Sequence, residues 1–161
     1  MTKFLLLLTT ILLALNLSAQ QTNFHFSHSD KTEAPPEEIW KIWTDVPNWK
    51  DWDTGLQSTE LQDPFGVGAK GKLIPNKGPK TKFMITAVNP GVSYTFQTNV
   101  PFGKLLVHRY LEVQNGLTVF THEVEFTGLL RKFWGRQLGE NYRTMLPSVL
   151  ANIKAIAEQD P

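Results

Sequence analysis

The sequence predicts an α+β protein in which a curved antiparallel sheet of about seven strands wraps around one long C-terminal helix. Three observations lead to this prediction. Short runs of alternating apolar and polar residues, separated by glycine, proline and asparagine, occupy the middle of the chain. An Asn-Gly pair joins the last two of these runs. Apolar residues then recur at intervals of three and four, as in an amphipathic helix.

The first elements are a strand and one or two short helices. Residues 22–30 form a predicted strand, because Phe24 and Phe26 alternate with polar side chains. Pro35-Pro36 followed by two glutamates is typical of a helix start, since proline is tolerated in the first turn and acidic side chains suit the positive helix end. Apolar residues at helical spacing continue this helix to Val46, and a short helix or turn with two tryptophans follows.

Six further strands are predicted in the middle of the chain, each ended by a turn. They cover residues 56–61, 69–74, 81–88, 93–98, 104–113 and 117–126. Asn115-Gly116, between the last two strands, is the strongest short signal for a hairpin. Because strands that follow one another through hairpins pair antiparallel, the pattern predicts one antiparallel sheet.

The length of the last hairpin loop decides which side chains face inwards. With a two-residue loop, Arg109 faces His122 and His108 faces Glu123, whereas a three-residue loop pairs His108 with His122. The first register separates apolar from polar side chains better and is favoured. It places Arg109 and His122 on the inner face, where a buried guanidinium needs a partner. They are predicted either to anchor a carboxylate, phenol or keto group of a ligand, or to reach the cavity mouth or pair with a nearby carboxylate.

Residues 130–158 carry one long apolar face and form the predicted C-terminal helix. Pro147 lies inside it and predicts a bend, because proline removes a backbone donor and crowds the preceding turn. A helix of this length reaches roughly 45 Å, and no other predicted element is long enough to cover the sheet. A curved sheet around a single helix leaves a hollow that aromatic side chains can line.

The N-terminus has the pattern of a secretory signal peptide over residues 1–19. Lys3 supplies a positive start, residues 4–17 are almost all apolar, and Ser18-Ala19 supplies small residues. An apolar run of about 14 residues is shorter than the roughly 20 that span a bilayer, although an uncleaved anchor is the alternative. We therefore expect a secreted or periplasmic domain over residues 20–161, without a stable membrane anchor after cleavage.

Composition limits the chemistry. The chain has no cysteine, which excludes a disulfide framework, a thiolate metal site and a cysteine nucleophile. Lys3 is one of 16 basic residues, so the other 15 balance the 15 acidic ones. This balance gives no reason to expect nucleic acid or an acidic membrane surface as a partner. No cofactor or metal is expected, because His25 and His28 point to opposite faces of a strand. The oligomeric state stays open.

Several polar motifs have plain structural explanations. Residues 66–71 match G-x-G-x-x-G, but they lead into a strand rather than a helix, which favours a glycine-rich hairpin over a phosphate-binding loop. Asp51 and Asp53 are expected to be caps and solvated charges. Trp49 and Trp52 either pack locally or form a lid over the pocket. A solvated sheet edge explains the lysines at positions 70, 72, 77, 80 and 82.

Segments at both ends of the domain carry a family resemblance. Residues 34–40, 44–46 and Trp49, followed by residues 122–130 and 150–158, resemble the START-like domains of the SRPBCC superfamily. This is the helix-grip fold shared by birch-pollen-allergen-like proteins and polyketide cyclases. The resemblance covers essentially all of the chain after the signal segment. It implies a fold and a cavity for apolar ligands, but it transfers no catalytic residue set.

We therefore expect an exported domain that holds a small apolar or aromatic molecule between sheet and helix. The predicted ligand-binding residues are Arg109, His122, Tyr94, Phe96, Phe83, Trp134 and Tyr142. One alternative is a cyclase/dehydrase-like enzyme, in which His122 acts as general acid or base and Arg109 steadies an enolate. Another is an interaction domain with a filled core and no ligand.

Overall fold

The computed structural model describes residues 21–159 and confirms the predicted helix-grip fold. The signal peptide prediction lies outside these residues. The strands are β1 (His25–Thr32), β2 (Leu56–Leu61), β3 (Lys70–Pro75), β4 (Thr81–Asn89), β5 (Ser93–Val100), β6 (Gly103–Gln114) and β7 (Leu117–Gly128). The helices are α1 (Pro36–Thr44), a 3-10 helix (Val46–Asp51), α2 (Arg131–Trp134), a π-helical turn (Gly135–Gly139) and α3 (Glu140–Ala157). Within residues 21–159, no helix is long and apolar enough to cross a membrane.

The seven strands form one antiparallel sheet in the order β1-β7-β6-β5-β4-β3-β2. The first strand pairs with the last, so α1 and the 3-10 helix connect the two edges of the sheet. β1 begins at His25 rather than at the predicted residue 22, because Thr22 turns back on the chain and its amide donates to the His25 carbonyl at 2.7 Å. The other predicted strand boundaries agree to within two residues.

The favoured register of the last hairpin is confirmed. Arg109 pairs with His122 and His108 pairs with Glu123 across β6 and β7. Asn115 and Gly116 have φ angles of 51° and 80°, as the two-residue hairpin turn requires. Arg109 and His122 are therefore both on the inner face and almost completely buried.

The core lies between this inner face and the helices. α1 begins at Pro36 with two glutamates in its first turn, as predicted, and buries Ile39 and Trp43. α3 buries a stripe of apolar side chains: Leu146, Val149, Leu150, Ile153 and Ala157. The apolar stripe whose spacing predicted the C-terminal helix thus faces the sheet and the first helix.

The C-terminal helix is irregular before α3 rather than at its proline. α3 is helical through Pro147, and the bend predicted there stays a prediction. The change from α-helical to π-helical hydrogen bonding falls at Gly135–Gly139. A Cβ atom on Gly135 would lie 2.7 Å from the Asn23 carbonyl oxygen, so glycine allows the turn to pack closely on the chain entering β1.

The glycine-rich run precedes β3 in a β2–β3 hairpin, which confirms the structural explanation of the motif. Gly71 within it has no room for a side chain, because a Cβ atom would overlap the Glu60 carbonyl oxygen and the Phe83 ring.

We expect Gly71→Ala to lower the free energy of unfolding by about 1–3 kcal/mol, measured by urea denaturation. Gly66→Ala is the matched control, because its nearest neighbour would lie 3.9 Å away. Equal stability of the two variants would contradict this packing.

Candidate functional site

A cavity of about 800 Å³ lies between the inner face of the sheet and the C-terminal helix. Its walls are mostly apolar. The strands of the sheet contribute Leu56, Leu73, Phe96, Leu105, Val107 and Val124. The C-terminal helical segment contributes Leu138, Met145, Leu146 and Val149. Polar groups occupy a smaller share of the wall: Asp53, Thr98, Arg109, His122, Asn141 and Tyr142. The hollow that the sequence predicted is therefore present and is large enough for a small organic molecule.

Arg109 is the most unusual of the polar groups. It is 4% exposed, and its guanidinium carbon lies 4.4 Å from the ring centroid of Trp49 and 4.7 Å from that of Trp52. Its Nη1 donates a hydrogen bond to the Tyr94 hydroxyl, which in turn donates to the Trp43 carbonyl oxygen at 3.3 Å. The positive charge of Arg109 is therefore stabilised by aromatic rings and by one phenol hydroxyl.

Among residues 21–159, no carboxylate lies within ion-pair distance of this guanidinium. The buried Arg109 Nε has no hydrogen-bond partner there either. A buried cation without an anionic partner is costly, so an acceptor group entering the cavity would be favoured beside Arg109.

Asp53 lies in the cavity wall, which corrects the prediction that it is solvated. Its Oδ1 accepts a hydrogen bond from the Gly55 amide at 3.0 Å, as in an Asx turn, and caps no helix, because the 3-10 helix ends at Asp51 and a strand follows. Burial raises the pKa of the Asp53 carboxyl, and the positive charge of Arg109 and the Gly55 hydrogen bond oppose that change. Tyr142 lies nearby, and burial together with the charge of Asp53 raises its pKa to about 12.

His122 is 1% exposed and packs on two tryptophans. Its ring centroid lies 5.6 Å from that of Trp43 and 5.9 Å from that of Trp52. Burial lowers its pKa well below 6.5, and the positive charges of Arg109 and His28 lower it further. The imidazole is therefore neutral near pH 7, and its buried Nε2 has no hydrogen-bond partner among residues 21–159.

Four of the seven predicted ligand-binding residues line the cavity: Arg109, His122, Phe96 and Tyr142. Three lie outside its wall. Tyr94 is fully buried behind Arg109, and burial raises its pKa to about 12. Phe83 stacks on Trp49 at 5.6 Å and supports the wall from behind. Trp134 donates to the Pro101 carbonyl oxygen at 2.9 Å. The π-helical turn after Trp134 changes the helical phase, so the face of α2 does not continue into that of α3.

Trp49 in the 3-10 helix and Trp52 directly after it form no lid, although Trp49 contributes to the cavity wall. Trp49 and Trp52 are 0% and 1% exposed, and both pack on Arg109 inside the core. Sequence reasoning also missed Asn141 as a lining residue. Asn141 lies four residues before Met145 and therefore on the same face of the helix. This spacing from the apolar stripe is the signal that could have identified Asn141 as a lining residue. No comparable signal distinguishes the buried Asp53 from an ordinary capping aspartate.

The remaining histidines lie on β1 and β6, on both faces of the sheet. His25 Nε2 is 2.5 Å from Glu123 Oε1, and His108 Nδ1 is 3.7 Å from Glu123 Oε2. His28 pairs with His122 across β1 and β7 and lies on the opposite face from His25, as the strand parity predicted. In the part of the chain that the structure describes, no group of three or more His, Cys, Asp or Glu could hold a metal ion.

This architecture and cavity define a START-like helix-grip domain of the SRPBCC superfamily. The family described as polyketide cyclase / dehydrase and lipid transport matches residues 23–158, and the chain belongs to it. No curated protein matches the chain.

Solved structures with low sequence identity share the fold. Protein MLL2253 from Mesorhizobium loti has a TM-score of 0.66 and 13% identity, with 85% of this chain and 98% of that chain covered. Norcoclaurine synthase from Thalictrum flavum, in complex with dopamine and hydroxybenzaldehyde, has a TM-score of 0.64 and 14% identity, with 85% and 87% covered. The di-domain ARO/CYC protein StfQ from the steffimycin biosynthetic pathway has a TM-score of 0.68 and 9% identity, with 85% and 52% covered. At such identities the likeness shows the fold alone.

The Tyr94 hydroxyl should support the structure around Arg109. We expect Tyr94→Phe to lower the free energy of unfolding by roughly 1–3 kcal/mol, because it leaves a buried charged donor without its acceptor. The half-exposed Tyr110 is the matched control, and Tyr110→Phe should cost less than about 0.5 kcal/mol. Chemical denaturation measures both values. An equal effect of the two variants would contradict the supporting role of Tyr94.

His122 should make the stability of the fold depend on pH. Its folded pKa lies below the unfolded value of 6.5, so the folded state favours the neutral ring. This contribution is fully present above pH 6.5 and is lost as the pH falls through the folded pKa. We expect the melting temperature to fall less steeply below pH 6.5 in His122→Phe than in the wild type. Equal slopes in His122→Phe and the wild type would contradict the prediction.

Proposed function

We propose that this chain is an exported small-molecule-binding domain, whose cavity holds an apolar or aromatic ligand that carries an anionic or carbonyl oxygen. The observation that carries the proposal is the Arg109 guanidinium, which lies in an apolar cavity wall without a carboxylate at ion-pair distance among residues 21–159. A ligand oxygen beside it would supply the missing acceptor, and the apolar body of the ligand would cover the surrounding walls.

The family and the fold agree with this kind of ligand. The family description includes cyclase/dehydrase activity and lipid transport, and both involve largely apolar molecules. The Thalictrum flavum enzyme, which shares the fold, is in complex with dopamine and hydroxybenzaldehyde, which are both aromatic. The export of this domain is supported by the signal-like residues 1–19.

The state of His122 favours binding over acid catalysis by that residue. A general acid needs a proton near pH 7, whereas the low pKa of His122 keeps its ring neutral. His122 therefore acts as an uncharged wall of the cavity, packed on Trp43 and Trp52.

A second candidate function is a cyclase/dehydrase-like enzyme, and one observation favours it. Asp53 and Tyr142 both line the cavity, and burial raises the pKa of each. A carboxyl group with a raised pKa is suited to proton transfer. If the domain is an enzyme, Asp53 is the group expected to donate a proton, and Asp53→Asn should abolish turnover while leaving ligand affinity within about tenfold.

Two fluorescent probes with the same ring system test the role of Arg109. We expect both 1-anilinonaphthalene-8-sulfonate and the neutral N-phenyl-1-naphthylamine to bind in the cavity. Arg109→Met should weaken the sulfonate at least about tenfold, because it loses a charge-assisted contact, and should change affinity for the neutral probe less than about threefold. Fluorescence titration measures both affinities, and urea denaturation verifies that the variant is folded.

Lys80→Met is the matched control, because Lys80 is an exposed basic residue outside the cavity wall. It should leave both affinities nearly unchanged. Native mass spectrometry of protein purified from the envelope of its own host complements the titration, and a reproducible additional mass would identify the natural ligand class. Absence of saturable binding by either probe, or equal loss of both probes in Arg109→Met, would overturn the proposal.

A further inference from the structure

Three large apolar side chains are exposed at one end of the sheet, away from the walls of the cavity. Leu129 is 86% exposed, Phe102 is 75% exposed and Phe133 is 49% exposed. Phe102 lies in the turn between β5 and β6, Leu129 follows β7, and Phe133 lies in α2. We call these three residues the apolar tip. They come from three parts of the chain, so their exposure is not a property of one loop.

Hydrogen bonds hold the apolar tip together. The Leu129 amide donates to the Phe102 carbonyl oxygen at 3.0 Å, and Trp134 Nε1 donates to the Pro101 carbonyl oxygen at 2.9 Å. Gly128, with φ of 87°, allows the two segments to approach, because a Cβ atom there would lie 2.5 Å from the Phe102 carbonyl oxygen. The tip is therefore an ordered surface, in which hydrogen bonds link the β5–β6 turn to the end of β7 and to α2.

Folding does not explain the aromatic residue at position 102. Phe102 has φ of 57°, a left-handed conformation that a bulky side chain rarely adopts and that turns normally give to glycine or asparagine. Its side chain is then placed in solvent, where it gains little from burial. A strained backbone combined with an exposed aromatic ring indicates that Phe102 serves a function other than stabilising the fold.

The charged residues nearest to the tip along the chain have one sign. Lys104, Arg131, Lys132 and Arg136 are exposed and lie within three residues of a tip residue along the chain. Residues 97–104 and 126–139 contain no aspartate or glutamate. None of the four cations forms an ion pair among residues 21–159. The balanced charge of the whole chain gave no reason to expect an acidic membrane surface as a partner. This end of the protein is nevertheless locally basic.

We propose that the apolar tip and its four flanking cations dock reversibly on an anionic lipid membrane. Exposed Phe and Leu side chains would enter the boundary of the acyl chains while lysine and arginine contact the headgroups. A protein partner is less favoured, because protein interfaces are depleted in lysine and need about 800 Å² on each side, more than three projecting side chains supply. The proposal does not depend on what the cavity holds.

Vesicle sedimentation tests the proposal with the chain from residue 21, because all the described elements lie within residues 21–159 and the apolar N-terminal run would itself bind lipid. Wild type should bind vesicles of equal phosphatidylglycerol and phosphatidylcholine, and bind pure phosphatidylcholine weakly. F102G/L129S/F133S should lower the partition coefficient on the mixed vesicles by at least about tenfold. Phe102→Gly alone should weaken binding while leaving the melting temperature equal or higher, because glycine relieves the strained φ.

Matched variants separate the tip from general hydrophobicity and charge. V67S/V113S removes valines that are 68% and 61% exposed elsewhere, and it should bind as wild type does. K104Q/K132Q/R136Q should lose the preference for phosphatidylglycerol, whereas K70Q/K77Q/K80Q should keep it. Absence of wild-type binding to the mixed vesicles, or undiminished binding by F102G/L129S/F133S, would overturn the proposal. A change in self-association caused by the tip variants without any vesicle binding would also overturn it and assign the surface to a second copy.

Discussion

The Arg109 guanidinium packs on the rings of Trp49 and Trp52, whose centroids are 5.9 Å apart, and this contact joins parts of the chain that are distant in sequence. Arg109 comes from β6 in the sheet, and the two tryptophans come from the connection between β1 and β2, Trp49 in the 3-10 helix and Trp52 directly after it. Tyr94 links the same group to the carbonyl of Trp43 in α1. The inner end of the cavity is therefore arranged around a single buried charge.

That charge also sets the electrostatics of its neighbours. It adds to burial in lowering the pKa of His122, and it partly offsets the effect of burial on Asp53. His122 is therefore a neutral ring, while the pKa of the Asp53 carboxyl lies above its ordinary value. The two proposed functions use the same cavity but differ in which of these groups matters, and neither requires His122 to carry a charge.

Local signals predicted most of the fold. Asn115-Gly116 predicted the last hairpin, and the separation of apolar from polar side chains favoured the register that brings Arg109 and His122 together. The signals failed where tertiary contacts decide the outcome. The π-helical turn separates Trp134 from the face of α3, and close packing on Asn23 through Gly135 accompanies it. Burial of Asp53 depends on elements far along the chain, so the same sequence pattern suits a solvated cap.

Electron density in a high-resolution crystal structure shows whether the cavity beside Arg109 is open. We expect open space between Val107 on the sheet and Met145 on α3, with a ligand or water oxygen within hydrogen-bond distance of the Arg109 guanidinium. Side chains that fill this space, or a direct ion pair between Arg109 and Asp53, would contradict it, because the charge would then be satisfied without any ligand.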